Sequence, residues 1–173
     1  MSGTKVLSSV RRQSDEYSIR FDHFGWIVAH VSDATGVLSI SSDWGNWSHR
    51  WDTQHLGFPT LTEFILKRRD VHYLANKLIG YGRDRQVNIA KTRQFFRETV
   101  CSNRRAKRLS RVQAEELWAE IGLWEGGDLP GNFTWEDLVY EDTSEFMNLK
   151  EIVLPALLDA MRSNPRLTTT RNQ

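Results

Sequence analysis

The sequence predicts an α+β fold in which an N-terminal antiparallel β-meander of three to four strands packs against a C-terminal set of four to six helices. Between positions 17 and 51, short runs of β-branched and aromatic residues alternate with turn-forming residues. Beyond position 59, apolar residues recur at helical spacing behind helix-capping residues. The length of 173 residues is typical of one domain with its own core.

Four strands are predicted, over 17–21, 25–31, 37–42 and 47–51. A two-residue turn at 45–46 would fix the register of the last hairpin, because such a turn pairs the residues that flank it. That register pairs Trp44 with Trp47 and Ile40 with Trp51. It collects apolar side chains on one face and Ser, Asp and Arg side chains on the other. We therefore interpret the tryptophans of this hairpin as core residues.

The helices follow in order along the rest of the chain. Capping residues mark four beginnings: Thr60 with Glu63, Asp70, Ser110 with Gln113, and Ser144. The long central helix is predicted over 84–107, and a short helical turn begins at Thr134. The helix after Ser110 has four residues at core-facing spacing: Ala114, Leu117, Trp118 and Ile121. Pro155 should kink or restart the last helix.

We expect one domain over 17–163, with flexible ends at 1–16 and 164–173, because both ends are polar and lack periodicity. No apolar run is long enough to span a bilayer, and the first residues lack the composition of a signal peptide. We therefore expect no membrane partner and a cytoplasmic location. Cys101 is the single cysteine, which excludes an intramolecular disulfide and a cysteine-based metal cluster.

Charge is distributed unevenly along the chain. Between 83 and 111, ten Lys or Arg stand against two acids, whereas between 115 and 151, eleven acids stand against one lysine. The strongest nucleic-acid signal is a run of four basic residues: Arg104, Arg105, Lys107 and Arg108. In one alternative these side chains bind the exposed carbonyls at the end of the helix and oppose its dipole. In a second, the basic and acidic helices pair within the fold. In another, the acids form an exposed face that mimics a phosphate backbone or docks on a basic partner.

Three polar residues of the last hairpin are candidates for partner binding, namely Asp43, Asn46 and Arg50, because they lie on the turn or on the polar face. The alternative is a cross-strand ion pair between Asp43 and Arg50, which the predicted register makes diagonal neighbours. A metal or acid–base site would draw on the five histidines, at 23, 30, 49, 55 and 72, with nearby aspartates. No pair has the spacing of a known catalytic or metal motif, so we expect a non-enzyme without cofactor.

Residues 41–51 read Ser-Ser-Asp-Trp-Gly-Asn-Trp-Ser-His-Arg-Trp. This string resembles the signature of a family of small phage and prophage proteins, in which a Ser-Asp-aromatic-Gly-Asn-aromatic hairpin ends in Arg-Trp. The resemblance extends to Tyr-Leu-Ala-Asn-Lys-Leu at 73–78 and to Leu-Pro at 154–155, and it covers about residues 20–160. Trp44 stands where the family more often has tyrosine. The resemblance implies phage origin and assigns no activity or functional residue.

Two main hypotheses follow. The first is a phage-encoded accessory protein that binds a host protein or ribonucleoprotein complex in the bacterial cytoplasm, with inhibition of a defence system of the anti-CRISPR type as its specific form. The alternative is a nucleic-acid-binding protein of phage recombination or regulation that uses the basic segment 83–111. A third hypothesis is an enzyme whose active site uses the histidines and aspartates of the meander. The first two differ in which charged surfaces the fold leaves unpaired.

Overall fold

The structure is a computed structural model that describes residues 13–22, 25–68, 70–80 and 82–164. Within that part of the chain, a four-stranded antiparallel sheet is followed by five helices, of which the last consists of two α-helical segments joined by a π-helical turn. The predicted α+β fold class is therefore confirmed. The strands lie in sequence order: β1 (Asp15–Arg20), β2 (Trp26–Ser32), β3 (Val37–Ser42) and β4 (Gly45–Arg50). Of the ends expected to be flexible, only 13–16 and 164 are described, and β1 already begins at Asp15.

The β3–β4 hairpin departs from the predicted register. Its two-residue turn lies at 43–44 and not at the predicted 45–46, so Ile40 pairs with Trp47 and not with Trp51. The prediction was therefore wrong in register. Because the displacement is even, every side chain keeps its predicted face. Trp47 and Trp51 are buried in the core as expected.

The side chain of Ser42 closes this turn. Its hydroxyl donates to the carbonyl of Gly45 over 3.0 Å and accepts from the backbone N–H of Trp44 over 3.2 Å. In this register Asp43 lies at the tip of the hairpin and Arg50 at the far end of β4. Roughly 17 Å of extended chain separates the two ends of that strand. The alternative of an ion pair between Asp43 and Arg50 is therefore wrong.

The chain forms two compact units, and the range 17–163 expected for one domain includes residues of both. The first unit comprises residues 1–84 and 144–173. Beside the sheet it contains α1 (Leu61–Arg68), α2 (Val71–Ile79), α5 (Ser144–Asn148) and α6 (Leu154–Ser163). A π-helical turn, Leu149–Val153, joins the last two without interruption. The helices pack on the inner face of the sheet around a core that includes Phe64 and Phe146.

Local sequence signals explain how these helices begin and end. The predicted caps form, since the N–H of Glu63 donates to Thr60 Oγ1 over 3.0 Å and the N–H of Tyr73 donates to Asp70 Oδ1 over 2.9 Å. Pro155 is the second residue of α6, two positions after the end of the π-helical turn. Proline lacks an N–H and clashes with the carbonyl four residues earlier, and a wider turn accommodates both effects. The interruption predicted at Pro155 takes this form.

The second unit comprises residues 85–143. Its elements are β5 (Arg85–Val87), α3 (Ile89–Arg105), α4 (Arg111–Leu123), a 3₁₀ turn (Trp135–Asp137) and β6 (Tyr140–Asp142). The short strands β5 and β6 pair antiparallel, so α3 begins later than the predicted residue 84. Asn88 caps α3, and the predicted capping box of Ser110 and Gln113 begins α4. Phe96 belongs to a separate core, and its ring stacks on that of Phe133 with 3.9 Å between the ring centroids.

Candidate nucleic-acid interface

The four predicted nucleic-acid-binding residues lie within five consecutive positions at the end of α3 and are here called the basic cluster: Arg104, Arg105, Lys107 and Arg108. The chain leaves the helix through a Schellman motif, in which the N–H of Lys107 donates to the Arg104 carbonyl over 3.1 Å and that of Arg108 to the Asn103 carbonyl over 2.9 Å. This motif needs a left-handed residue, and Lys107 supplies it with φ of +57°. Within the described residues no other non-glycine has a positive φ.

The side chains of the basic cluster are all exposed. Among the described residues, no salt bridge joins any of them to a carboxylate. Other cations of the same unit do have partners: Arg93 lies 2.7 Å from Glu125, and Arg111 lies 2.7 Å from Glu115. The acidic helix α4 therefore packs on basic α3 without neutralising the basic cluster.

A groove runs between α3 and α4, here called the α3–α4 groove. It consists of two adjoining depressions with volumes of about 520 Å³ and 350 Å³. Three residues line both: Cys101, Arg105 and Trp118. Trp118 is 44% exposed, so its prediction as a core residue is wrong, whereas Ile121 is buried as predicted. The groove thus places an aromatic ring beside the basic cluster.

The polar groups of this groove differ in how they are satisfied. The Arg97 guanidinium lies over the Trp118 ring, 5.5 Å from its centroid, and the buried Arg97 Nε has no acceptor among the described residues. Glu98 accepts a hydrogen bond of 2.9 Å from Gln94, and the carboxylate of Glu115 is bonded to Arg111. The carboxylates of Glu98 and Glu115 therefore already accept hydrogen bonds, whereas Arg97 Nε has no acceptor within the described chain.

The hairpin candidates lie on another surface, the outer face of the four-stranded sheet. Its side chains include hydroxyl and amide groups together with charged and apolar ones; the hydroxyl and amide residues are Ser18, Ser39, Ser41, Asn46 and Ser48. Asn46 and Arg50 are exposed there, and Asn46 accepts a hydrogen bond from Ser41. Asp43 lies at the rim, where its N–H donates to the Trp26 carbonyl over 3.4 Å. The three candidates share this face but do not converge on one point.

The described histidines do not assemble into a site. No group of three or more His, Cys, Asp or Glu in the described part of the chain could hold a metal ion, and His23 falls outside that part. His55 is exposed and lies 3.9 Å from Asp52. His49 lies against Trp51, where burial lowers its pKa below 6.5 and the positive charge of Lys77 lowers that pKa further. His49 is thus held neutral beside the core.

Comparison with curated proteins finds no match, and comparison with solved structures finds none. None of the described helices has the length and apolar content that a membrane span requires. A family model described as a phage family, Phage_phiTE_072, matches residues 8–154, which is most of the 173-residue chain. This match supports the phage origin that the resemblance of the hairpin implies. The chain therefore belongs to the Phage_phiTE_072 family of phage proteins.

Proposed function

We propose that this phage protein binds nucleic acid and that the basic cluster contacts the phosphates. The observation that carries the proposal is that four neighbouring cationic side chains are exposed and, within the described chain, have no carboxylate partner, whereas Arg93 and Arg111 of the same unit have one. Phosphate contacts by Lys and Arg supply most of the affinity in non-specific nucleic-acid binding. A cluster of this kind is therefore suited to a phosphate backbone.

The end of α3 does not need these side chains for its own closure. Backbone donors already satisfy three of the last four carbonyls of the helix: Ala106 donates to Ser102 over 3.0 Å, and the Schellman motif satisfies Asn103 and Arg104. The favourable effect of cations near a helix C-terminus is modest at an exposed site. Helix capping alone thus leaves four clustered cations without an explanation.

Salt dependence tests this proposal. Each phosphate contact contributes about −0.7 to the slope of log affinity against log salt for a single strand, so four contacts predict a slope of about −2.8. Affinity for a labelled strand of about 20 nucleotides should then fall about 50-fold between about 50 and 200 mM salt. The double variant R104A/R105A should lose about half of this slope. Fluorescence anisotropy measures both quantities.

Lys91→Ala is the matched control. Lys91 is exposed on the first turn of α3, forms no salt bridge in the described chain, and lies roughly 20 Å along the helix from Arg104. Its loss removes one positive charge from the same helix and should leave the slope unchanged, whereas each arginine of the double variant contributes about −0.7 to it. Undetectable binding by the unaltered protein at about 50 mM salt, where phosphate contacts are strongest, would exclude the proposal.

The outer face of the sheet supports a second candidate function, binding to a host protein or ribonucleoprotein complex. Asn46 and Arg50 are exposed on this face, Asp43 lies at its rim, and Trp26 is 40% exposed beside it. Tryptophan and arginine are frequent at binding hot spots. Inhibition of a bacterial defence system of the anti-CRISPR type is the specific form of this candidate. Variants of the outer face, assayed for phage protection in a host with an active defence system, test it.

A further inference from the structure

Resting on the proposed function, we infer that the α3–α4 groove takes an unpaired base, with Trp118 as its stacking platform. The protein then binds single-stranded nucleic acid in preference to a duplex. Trp118 is 44% exposed inside a groove whose other lining includes the apolar side chains of Val100 and Ala114. Aromatic rings in basic grooves bind single strands because every base has a face that can stack.

The basic cluster and the ring are contiguous, as this mode of binding requires. Arg105 lines both depressions of the α3–α4 groove, and Arg104 lines the smaller one together with Trp118. A strand whose phosphates lie on the basic cluster can therefore turn a base into the groove without leaving its phosphate contacts. This continuity distinguishes Trp118 from Trp135, which is 63% exposed in the same unit but does not line either depression.

The groove carries a net positive charge, because Glu98 and Glu115 are outnumbered in its lining by arginines: Arg97, Arg104, Arg105 and Arg111. The strand's phosphates can therefore stay close to cations while a base lies on the ring. Arg97 also lines the larger depression, where its guanidinium lies 5.5 Å from the centroid of the Trp118 ring and can donate to the carbonyl or ring nitrogen of an entering base.

Duplex nucleic acid lacks what this groove would bind. In a duplex the bases are paired and stacked on one another, whereas single strands can splay a base onto an aromatic ring. The phosphates of both forms remain available to the basic cluster. Removing the ring should therefore affect single strands alone, and removing the cations should affect both forms.

Trp118→Ala tests the inference, with anisotropy of a labelled thymidine strand of about 20 nucleotides compared with a duplex of the same length. Stacking of one base predicts a loss of about 5- to 150-fold for the single strand. Duplex affinity should change by less than about 2-fold, since no base reaches the ring. Trp118→Phe, which keeps a ring, should recover most of the lost affinity, and the exposed-tryptophan control Trp135→Ala should match the unaltered protein.

The other outcomes separate this inference from the proposed function. Equal losses on both forms, or no loss on either while R104A/R105A still weakens binding, would overturn the stacking role and leave phosphate binding standing. Absence of binding by the unaltered protein overturns both. A strand carrying 2-aminopurine provides a second measurement on the unaltered protein, so the test does not depend on the folding of a variant. Its emission should be quenched on binding, and unquenched emission at saturation overturns the inference.

Discussion

His49 shows how a single side chain couples the core to pH. Its ring lies on the inner side of β4, 4.5 Å from the ring of Trp51, and burial followed by the charge of Lys77 lowers its pKa below 6.5. In the unfolded chain the same ring titrates near 6.5. The unfolded state therefore binds the proton more tightly. The stabilising contribution of neutral His49 is complete above about pH 6.5 and is lost as the pH falls through the lower folded-state pKa.

We predict that the free energy of unfolding decreases as the pH falls from about 7.5 to 5, a window in which unperturbed carboxylates stay ionised. His49→Gln, which cannot take up this proton, should flatten that decrease. Urea denaturation at a series of pH values measures the free energy of unfolding of both proteins. His55→Gln serves as the control, because the His55 side chain is 92% exposed. A profile for His49→Gln as steep as that of the unaltered protein would refute this assignment.

At the scale of elements, the chain at the end of α3 places a cationic residue in a strained backbone conformation. Glycine is the usual residue at the left-handed position of a Schellman motif, because any side chain is strained there. Lys107 holds that position with φ of +57°. Strain that persists in a native protein points to a functional constraint. Under the proposed function, the constraint is the retention of a fourth cation in the basic cluster.

Lys107→Gly should therefore stabilise the fold and weaken nucleic-acid binding at once. Relief of the left-handed strain should raise the free energy of unfolding by about 0.5–1 kcal/mol. Loss of one phosphate contact should reduce the salt slope by about 0.7. Lys107→Ala is the paired control, since it removes the charge and keeps a Cβ, so it should reproduce the weaker slope without the gain in stability. A more stable Lys107→Gly protein with an unchanged slope would remove Lys107 from the interface.

The β3–β4 hairpin shows what a sequence pattern can and cannot define. The alternation of apolar and polar residues correctly assigns the faces, because that assignment survives any even change of register. It cannot choose between turns at 43–44 and 45–46, since both preserve the alternation. The deciding contacts are those of the Ser42 hydroxyl with Trp44 and Gly45, which compete with the ordinary preference for glycine inside the turn.

The candidate interface was predictable in part for a similar reason. The four cations of the basic cluster are adjacent in the sequence, so composition alone locates them. Trp118 lies at the edge of the apolar stripe of α4, where helical periodicity does not decide between core and groove. Strands β5 and β6 have three residues each, too few to show any period. The exposure of Trp118 and the pairing of β5 with β6 depend on contacts between residues that are distant in the sequence.

At the scale of the whole molecule, the two candidate surfaces belong to different units. The basic cluster and the α3–α4 groove lie in residues 85–143, whereas the outer face of the sheet lies in the unit formed by residues 1–84 and 144–173. The first unit is closed by a helix that follows the second unit in sequence. Each unit has its own core cluster. A substitution confined to one exposed surface should therefore leave the other surface intact.

We predict that the two candidate functions separate under such substitutions. The double variant N46R/S48R places two bulky cations on the outer face, where both residues are exposed, and should exclude a protein partner by steric and charge conflict. Under the second candidate function, the unaltered chain protects phage plated on a host with active CRISPR immunity. N46R/S48R should lose that protection, while anisotropy with the thymidine strand stays unchanged. Gln54→Arg, in an exposed loop of the same unit, adds one arginine away from the outer face and controls for the effect of an added cation. Full protection by N46R/S48R would eliminate the outer face as a docking surface.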